Sequence, residues 1–338
     1  MKVLVTGAGG FLGTAVVRAA RRAGHEVIAL VRPAARLSGA PWDDDGVTLV
    51  RGDLRQRGPW TGELAGAEAV VHLAATPSGD LPSQFQATVL GTEQLLDALD
   101  HADGLQLRRF VHVSTFSVYD YAAVPAGTPI DEDSPLESQL DRRDAYAVTK
   151  TIQERLVRDW ALRAGTPLVV VRPGAVYGPG ADWDHGVTMR LPGGLGLVFG
   201  PRSRTKFVHV DDVAAALVSA LTAERAAGRT INVIDDDPPT YLQYAKRCRA
   251  AGADVPRLIP VPWSLVKLFG GLVAQFDRRV AGGRAKLPEF AARRRQDAQW
   301  KPFVYPNAVA RDVLGWRPGR TLDDGVAEMV AAGKQRNR

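Results

Sequence analysis

One cysteine, Cys248, stands among 338 residues. No disulfide can form within the chain, and the composition fits a reducing, cytoplasmic setting. No run reaches the roughly 18 apolar residues of a membrane helix. The most apolar late stretch, Ile259 to Phe276, is broken by Pro260, Pro262, Lys267 and Gly270-Gly271. No secretory leader is expected, because the chain opens directly on a strand pattern. The six histidines are scattered without ligand spacing, so no metal site is expected. Aromatic residues are few, at 7%, and do not interleave with basic ones as a nucleic-acid stacking surface requires. The net charge of +6 is spread along helices. Its densest run, Arg278 to Lys301 with Arg293-Arg294-Arg295, reads as a solvated helix face rather than a phosphate clamp. Neither a nucleic-acid nor a membrane partner is expected.

What is present starts at the N-terminus. Val3, Leu4 and Val5 form a short apolar run, followed at once by Thr6-Gly7-Ala8-Gly9-Gly10-Phe11-Leu12-Gly13. Apolar and small residues then recur at helical spacing to Ala23, with Arg18, Arg21 and Arg22 for the solvent side. Strand, glycine-rich turn and helix together open a dinucleotide-binding fold. A pyrophosphate must approach the backbone at a helix N-terminus, where unpaired N–H groups and the helix dipole attract it. Side chains at Gly7, Gly10 and Gly13 would obstruct the turn, the phosphate approach and the helix–strand contact.

Strand patterns follow at Glu26–Val31, Val47–Arg51, Ala69–Leu73, Phe110–Ser114 and Pro167–Val171, alternating with helical patterns at Pro82–Ala98 and Asp144–Arg163. That rhythm predicts an α/β fold, a Rossmann-type doubly wound parallel sheet. After Arg172 the rhythm changes. Residues 173–200 are rich in glycine and proline, short strands at 207–210 and 230–234 flank a helix at 212–223, and helices and prolines dominate beyond 238. The expected division is a dinucleotide-binding domain over 1–172 with returning segments near 207–235. Residues 173–206 and 236–338 would mainly build a smaller, mostly C-terminal substrate-binding lobe.

The end of the second strand selects the cofactor. NAD-binding versions of this fold carry an acidic residue there for the ribose 2′-hydroxyl. This chain has Val31-Arg32, with Arg36 nearby. Guanidinium groups suit a 2′-phosphate, so NADP is expected, with NAD the alternative. The catalytic candidate is Tyr146-Ala-Val-Thr-Lys150, whose ends share one helix face. A fixed ammonium beside a phenol favours the phenolate and is expected to lower the Tyr146 pKa.

These segments do not stand alone. Thr-Gly-x-x-Gly-x-x-Gly, Gly52-Asp53-Leu54, His72-Leu73-Ala74-Ala75, Ser114-Thr115 before Val118-Tyr119, Tyr146/Lys150, Arg172-Pro173 with Val176-Tyr177-Gly178-Pro179, Phe207-Val-His-Val-Asp-Asp212 and Gly315-Trp316-x-Pro318 occur in one order. Together they resemble the extended short-chain dehydrogenase/reductase family, its NAD-dependent epimerase/dehydratase group, over nearly the whole chain. The resemblance implies that Gly7, Gly10 and Gly13 bind the pyrophosphate with Phe11 and Leu12 beside it. It places Asp53 and Leu54 near the adenine, Ala74 and Ala75 along the cofactor cleft, and Pro173 and Val176 at the nicotinamide. Tyr146 would be the general acid/base, Lys150 would hold the nicotinamide ribose and tune Tyr146, and Thr115 would hydrogen-bond the reacting oxygen. It also implies a homodimer paired through the helices near 82–98 and 144–163.

Departures narrow the chemistry. Phe116-Ser117 follows Thr115 where 4,6-dehydratases carry an acid pair, which argues against dehydration. Ala175 and Thr88 replace asparagines common in sugar-nucleotide enzymes, and Asp120 replaces a glycine. The expected activity is an NAD(P)-dependent oxidoreductase interconverting a ketone and a secondary alcohol of a small-molecule substrate. The alternatives are an epimerase using transient oxidation, including a sugar-nucleotide epimerase, and a non-catalytic NADP-binding regulator. The segment Trp263–Phe276 is a candidate lining for a less polar substrate, or else a core or interface helix.

Overall fold

The computed structural model describes residues 1–37, 39–64, 66–280 and 293–336, with side chains 274, 276–278, 280 and 336 outside the description. Its strands are β1 (Lys2–Thr6), β2 (Glu26–Val31), β3 (Val47–Arg51), β4 (Ala69–His72), β5 (Arg109–Val113), β6 (Leu168–Pro173), β7 (Ala175–Tyr177), β8 (Met189–Leu191), β9 (Leu195–Phe199), β10 (Phe207–His209), β11 (Thr230–Val233) and β12 (Arg257–Val261). Its α-helices are α1 (Phe11–Arg22), α2 (Leu81–Gln84), α3 (Gly91–Asp100), α4 (Ala145–Ala164), α5 (Val210–Thr222), α6 (Tyr241–Ala250), α7 (Trp263–Val280), α8 (Arg293–Trp300), α9 (Ala308–Leu314) and α10 (Leu322–Arg336).

Seven strands form one parallel sheet in the order β11-β6-β5-β4-β1-β2-β3. The strands are apolar on both sides because both faces are covered, as parallel sheets require. Alternate residues divide between two cores. Val3, Val5, Val27, Ala29, Val71, Val111 and Val171 face α1 and α5. Leu4, Ile28, Leu30, Val70 and Phe110 face the side covered by α3, α4 and Trp60. Alanines on α1 and α5, among them Ala15, Ala20, Ala216 and Ala220, let those two helices lie close together.

The strand reversal between β1 and β4 opens a crevice at the carboxyl ends of the strands, where ligands bind in such sheets. β7 pairs with β10 just beyond β6. Tyr177, Phe207, Tyr241, Tyr244 and Trp300 gather in a separate core. Two expectations are corrected here. The stretch read as irregular or helical contains a three-stranded sheet in the order β12-β9-β8, whose strands are too short and too interrupted by glycine and proline to show period-two alternation. The single helix expected over 82–98 is interrupted by a π-helical turn, Phe85–Leu90, between α2 and α3.

The C-terminal Gly-Trp motif serves the sheet. Gly315 closes α9 in the left-handed region at φ +62°, and Trp316 Nε1 donates to the Asp212 carbonyl at 2.8 Å. The Asp212 carboxylate also accepts Gly319 N at 2.8 Å. Two motifs distant in sequence therefore form one brace across the start of α5. No helix among the described residues is long and apolar enough to cross a membrane.

Candidate active site

The glycine-rich turn leaves its backbone bare for a geometric reason. Gly7 adopts φ +66°, and a Cβ there would lie 3.0 Å from Ala74 N, so the turn can rest against the loop after β4 only without a side chain. A Cβ on Gly13 would run into the Gly7 carbonyl and approach Ala8 O to 2.7 Å. Gly10 caps α1 with no side-chain acceptor, and the first turn holds no acidic residue. A bare helix N-terminus over a glycine cradle fits the pyrophosphate of a dinucleotide. Leu12 packs into the core beside the turn, and Phe11 is partly exposed next to Gly180.

Arg32 and Arg36 are exposed beyond β2, and the strand ends in Val31-Arg32 rather than in an acidic residue. Arg51, overlooked in the sequence reading, donates to Pro33 O at 2.8 Å and Ala35 O at 3.1 Å and so shapes the loop that carries them. Asp53 is held by Arg55, whose Nε lies 3.0 Å from its carboxylate. That hydrogen bond lowers the Asp53 carboxyl against the opposing effect of burial, and the charges of Arg55 and Arg32 add to the lowering. Leu54 is buried beneath Gly91. Ala74 and Ala75 are half-buried after β4, Pro173 ends β6, and Val176 lies in β7.

α4 brings the candidate catalytic side chains to the crevice. Asp144 caps it, accepting Ala147 N at 3.0 Å, a contribution of about 1 kcal/mol to the helix. Tyr146 follows in the first turn, half-buried and hydrogen-bonded to Thr115. Thr115 leaves β5 and caps a short 3₁₀ turn by accepting Ser117 N at 3.2 Å. Lys150, one turn beyond Tyr146, donates to the Val113 carbonyl at 2.7 Å and to Gln153 Oε1. Thr115, Tyr146 and Lys150 are thus gathered at the end of β5.

The electrostatics correct one expectation. The Tyr146 phenol sits above its ordinary value: burial raises it, the Thr115 hydrogen bond pulls it down and Asp144 pushes it up. The Lys150 ammonium, whose burial lowers it to about 7 against the pull of Glu154, is committed to Val113 and Gln153.

Two polar networks behind the site escaped the sequence reading. In the first, Gln153 Nε2 donates to Ala74 O at 2.9 Å and Thr92 Oγ1 at 2.7 Å, while Thr88 Oγ1 accepts Thr76 N at 3.1 Å. His72 lies between Thr6 Oγ1 at 2.7 Å and Thr92 Oγ1 at 2.9 Å. Burial, with Lys150 nearby, lowers it to about 3, so it is neutral. In the second, Glu154 meets Arg172 at 2.6 Å and Arg158 at 2.9 Å and accepts Ser114 Oγ at 2.5 Å. Arg172 also donates to the Tyr119 hydroxyl at 3.0 Å, which donates to Asn232 Oδ1 at 2.7 Å. The available signal was Tyr146, Lys150, Glu154 and Arg158 at steps of four, a polar stripe turned inward along one helix face.

Departures from the family pattern acquire reasons. Asp120 accepts Ala122 N and Ala123 N at 3.1 Å and Arg294 Nη1 at 2.9 Å, tying α8 to the segment after Thr115. Arg294 also pairs with Glu137, and Arg295 lines a polar pocket. Arg294 and Arg295 of the late basic run are therefore turned inward rather than lying on a solvated face, Arg279 and Arg293 are exposed as expected, and residues 281–292 of that run lie outside the described residues. On the other side of α8, Leu265, Leu268, Phe269 and Leu272 of α7 border an apolar groove of about 570 Å³ with Leu197 and Phe199.

A glycine-cradled helix start at the switch of a parallel sheet, with a Tyr–Lys helix beside it, defines a nucleotide-dependent oxidoreductase-type site. The NAD dependent epimerase/dehydratase family model matches residues 3–233, and the chain belongs to that family. The protein is accordingly an NAD(P)-dependent enzyme of the family's reductase and epimerase chemistry. It is 34% identical to the 3-diazoavenalumate denitrifying reductase of a Streptomyces species, over 94% of this chain and 96% of that one. It is 29% identical to the 2-alkyl-3-oxoalkanoate reductase of Stenotrophomonas maltophilia strain K279a, over 98% and 99%. Its fold is similar to the UDP-glucuronic acid 4-epimerase of Bacillus cereus in complex with NAD, with TM-score 0.72 and 20% identity over the whole of both chains.

Proposed function

We propose that the enzyme reduces a ketone to a secondary alcohol with NADPH. The observation that carries this reading is the meeting of Thr115, Tyr146 and Lys150 at the end of β5 without an acid pair beside them. Phe116 fills that place and packs its ring against Tyr119 and Tyr305. Acid–base chemistry at one oxygen is available there, and elimination is not. Two relatives named as reductases, similar over almost the full length, support net reduction over epimerisation.

Gly7, Gly10 and Gly13 offer the backbone cradle, and Arg32 with Arg36 favours a 2′-phosphate. Lys150 is assigned to the nicotinamide ribose, with Pro173 and Val176 bordering the nicotinamide. When bound, the cofactor supplies the hydride to the carbonyl carbon. The Tyr146 phenol gives its proton to the carbonyl oxygen, and Thr115 hydrogen-bonds the same oxygen. A phenol kept above its ordinary pKa is protonated at neutral pH, the form that reduction requires. The apolar groove under α7 supports a substrate with a hydrophobic part.

Mixing the protein with NADPH and a panel of ketones tests the reading. Consumption of NADPH matched by alcohol formation is expected. Interconversion of epimers without net cofactor consumption would replace it with the epimerase reading, and cofactor binding with no chemistry on any substrate with the regulator reading.

A further inference from the structure

Beside the Thr115–Tyr146 pair lies a second, polar pocket of about 160 Å³. Ser117, Tyr121, Arg143, Asp144 and Lys206 line it, with Arg295 and its neighbours on α8 closing the far side. It shares elements with the reacting groups. Ser117 N is the group that Thr115 Oγ1 accepts, and Asp144 caps the helix two residues before Tyr146. The carbonyl of Lys206 accepts Ala175 N, the strand contact next to Pro173 and Val176.

Two cationic side chains of the lining, Arg143 and Lys206, are treated differently by their surroundings: Arg143 is paired with Glu137 at 3.1 Å, and the one carboxylate of the lining, Asp144, already caps α4. Arg143 is buried, with its side chain 2% exposed. Its terminal nitrogens are used: Nη1 meets Glu137 at 3.1 Å and Tyr119 O at 3.2 Å, and Nη2 donates to Ser117 O at 2.9 Å. Its Nε–H has no hydrogen-bond partner, and Asp144 Oδ2 stands off at 3.8 Å. Buried donors of this kind are rare unless a ligand or water completes them. The Lys206 ammonium donates to the Ala298 carbonyl and lies 4.6 Å from the centre of the Tyr121 ring. Among the described residues no carboxylate lies within ion-pairing distance of it. Burial, with Arg143 nearby, lowers it to about 7 against the pull of Asp144, the behaviour of an ammonium short of counter-charge.

We propose that this pocket receives a carboxylate of the substrate, with Lys206 as its principal cation and Arg143 and Ser117 completing the site, so that the substrate is an oxo acid. The inference rests on the ketone-reductase reading: Ser117 and Asp144 of the lining belong to the segments that carry Thr115 and Tyr146, so an acid held here is proposed to present its keto group to those two side chains. Charge-assisted hydrogen bonds from a partly buried cation to a planar anion give both affinity and orientation.

The experiment uses 3-oxo acids with short, long and aromatic side chains, each beside its methyl ester, with NADPH and wild-type, Lys206→Met and Lys206→Arg proteins. The acids are expected to exceed their esters in kcat/KM by about tenfold or more. Lys206→Met should erase that preference mainly by raising KM for the acids, with a smaller change for the esters and with NADPH affinity retained, and Lys206→Arg should restore much of it. Equal losses for acid and ester, or a wild-type preference for esters, would overturn the assignment. A second readout does not depend on turnover: calorimetric titration of the corresponding 3-hydroxy acids and their esters into the enzyme with NADP⁺. Lys206-dependent acid binding without any ketone reduction would keep the carboxylate site and discard the reductase reading. Absence of acid binding, or Lys206-dependent binding of UDP alone, would discard the carboxylate site.

Discussion

Glu154 and Arg172 meet at 2.6 Å beneath the helix face that presents Tyr146 and Lys150. The pair joins α4 to β6, and both side chains are almost wholly buried. Burial pushes the Glu154 carboxyl up, but Arg172 together with Ser114 and Arg158 outweighs it and holds the group at about 2. Its ordinary value is 4.5, so the stabilisation is complete above pH 4.5 and is lost as pH falls towards 2. Removing one partner of a buried pair costs about 3–5 kcal/mol. Arg172→Met should therefore lower unfolding free energy in urea at pH 7 by that order. Glu154→Gln should flatten the pH dependence of stability between pH 4.5 and 2. An unchanged acid profile would remove Glu154 from this role.

Tyr146 is the proposed proton donor, and its half-buried phenol is held by Thr115 rather than built into the core. Tyr146→Phe should lower kcat by about 10²–10⁴-fold while NADPH affinity changes less than about twofold. Stopped-flow hydride transfer and fluorescence titration measure the two. Comparable turnover by the variant would take Tyr146 out of the mechanism.

The proposed preference for NADPH rests on the exposed arginines beyond β2. Arg32→Ala should weaken NADPH by about tenfold, since a charge-assisted contact is lost at a solvent-exposed position, and should leave NADH nearly unchanged. Raising salt should act in the same direction more mildly. Wild-type affinities equal for the two cofactors, with equal effects of the variant, would make Arg32 an ordinary loop charge.

The two helices assigned to a homodimer expose apolar residues. Leu162 on α4 is 84% exposed, and Leu90, the last residue of the π-helical turn before α3, is 40% exposed. Light scattering at micromolar concentration should give twice the chain mass, and Leu90→Glu with Leu162→Glu should return it to one. A single-chain mass for the wild type would assign those leucines to ordinary surface.

How far the sequence reaches depends on the range of each interaction. The strand–glycine–helix opening, the alternation that makes a parallel sheet, and the shared face of Tyr146 and Lys150 all follow from local periodicity, so they are legible in the residues. The π-helical turn at 85–90 and the sheet of β8, β9 and β12 were not, because tertiary packing overrides weak local patterns there. The same holds for side-chain partners. Lys150 could be placed one turn beyond Tyr146 on the same face by spacing, but only the fold sets its ammonium on the Val113 carbonyl and Gln153. Asp120 is a departure without a reason until Arg294, 174 residues later, arrives beside it. Arg143 and Lys206 share a pocket because β10 pairs with β7 next to the start of α4. The sequence alone therefore determined the class of fold and the shared helix face of Tyr146 and Lys150, through contacts a few residues apart. The tertiary structure decided which charges are buried, which are paired and which line a pocket, because those depend on strand order and register across the whole chain.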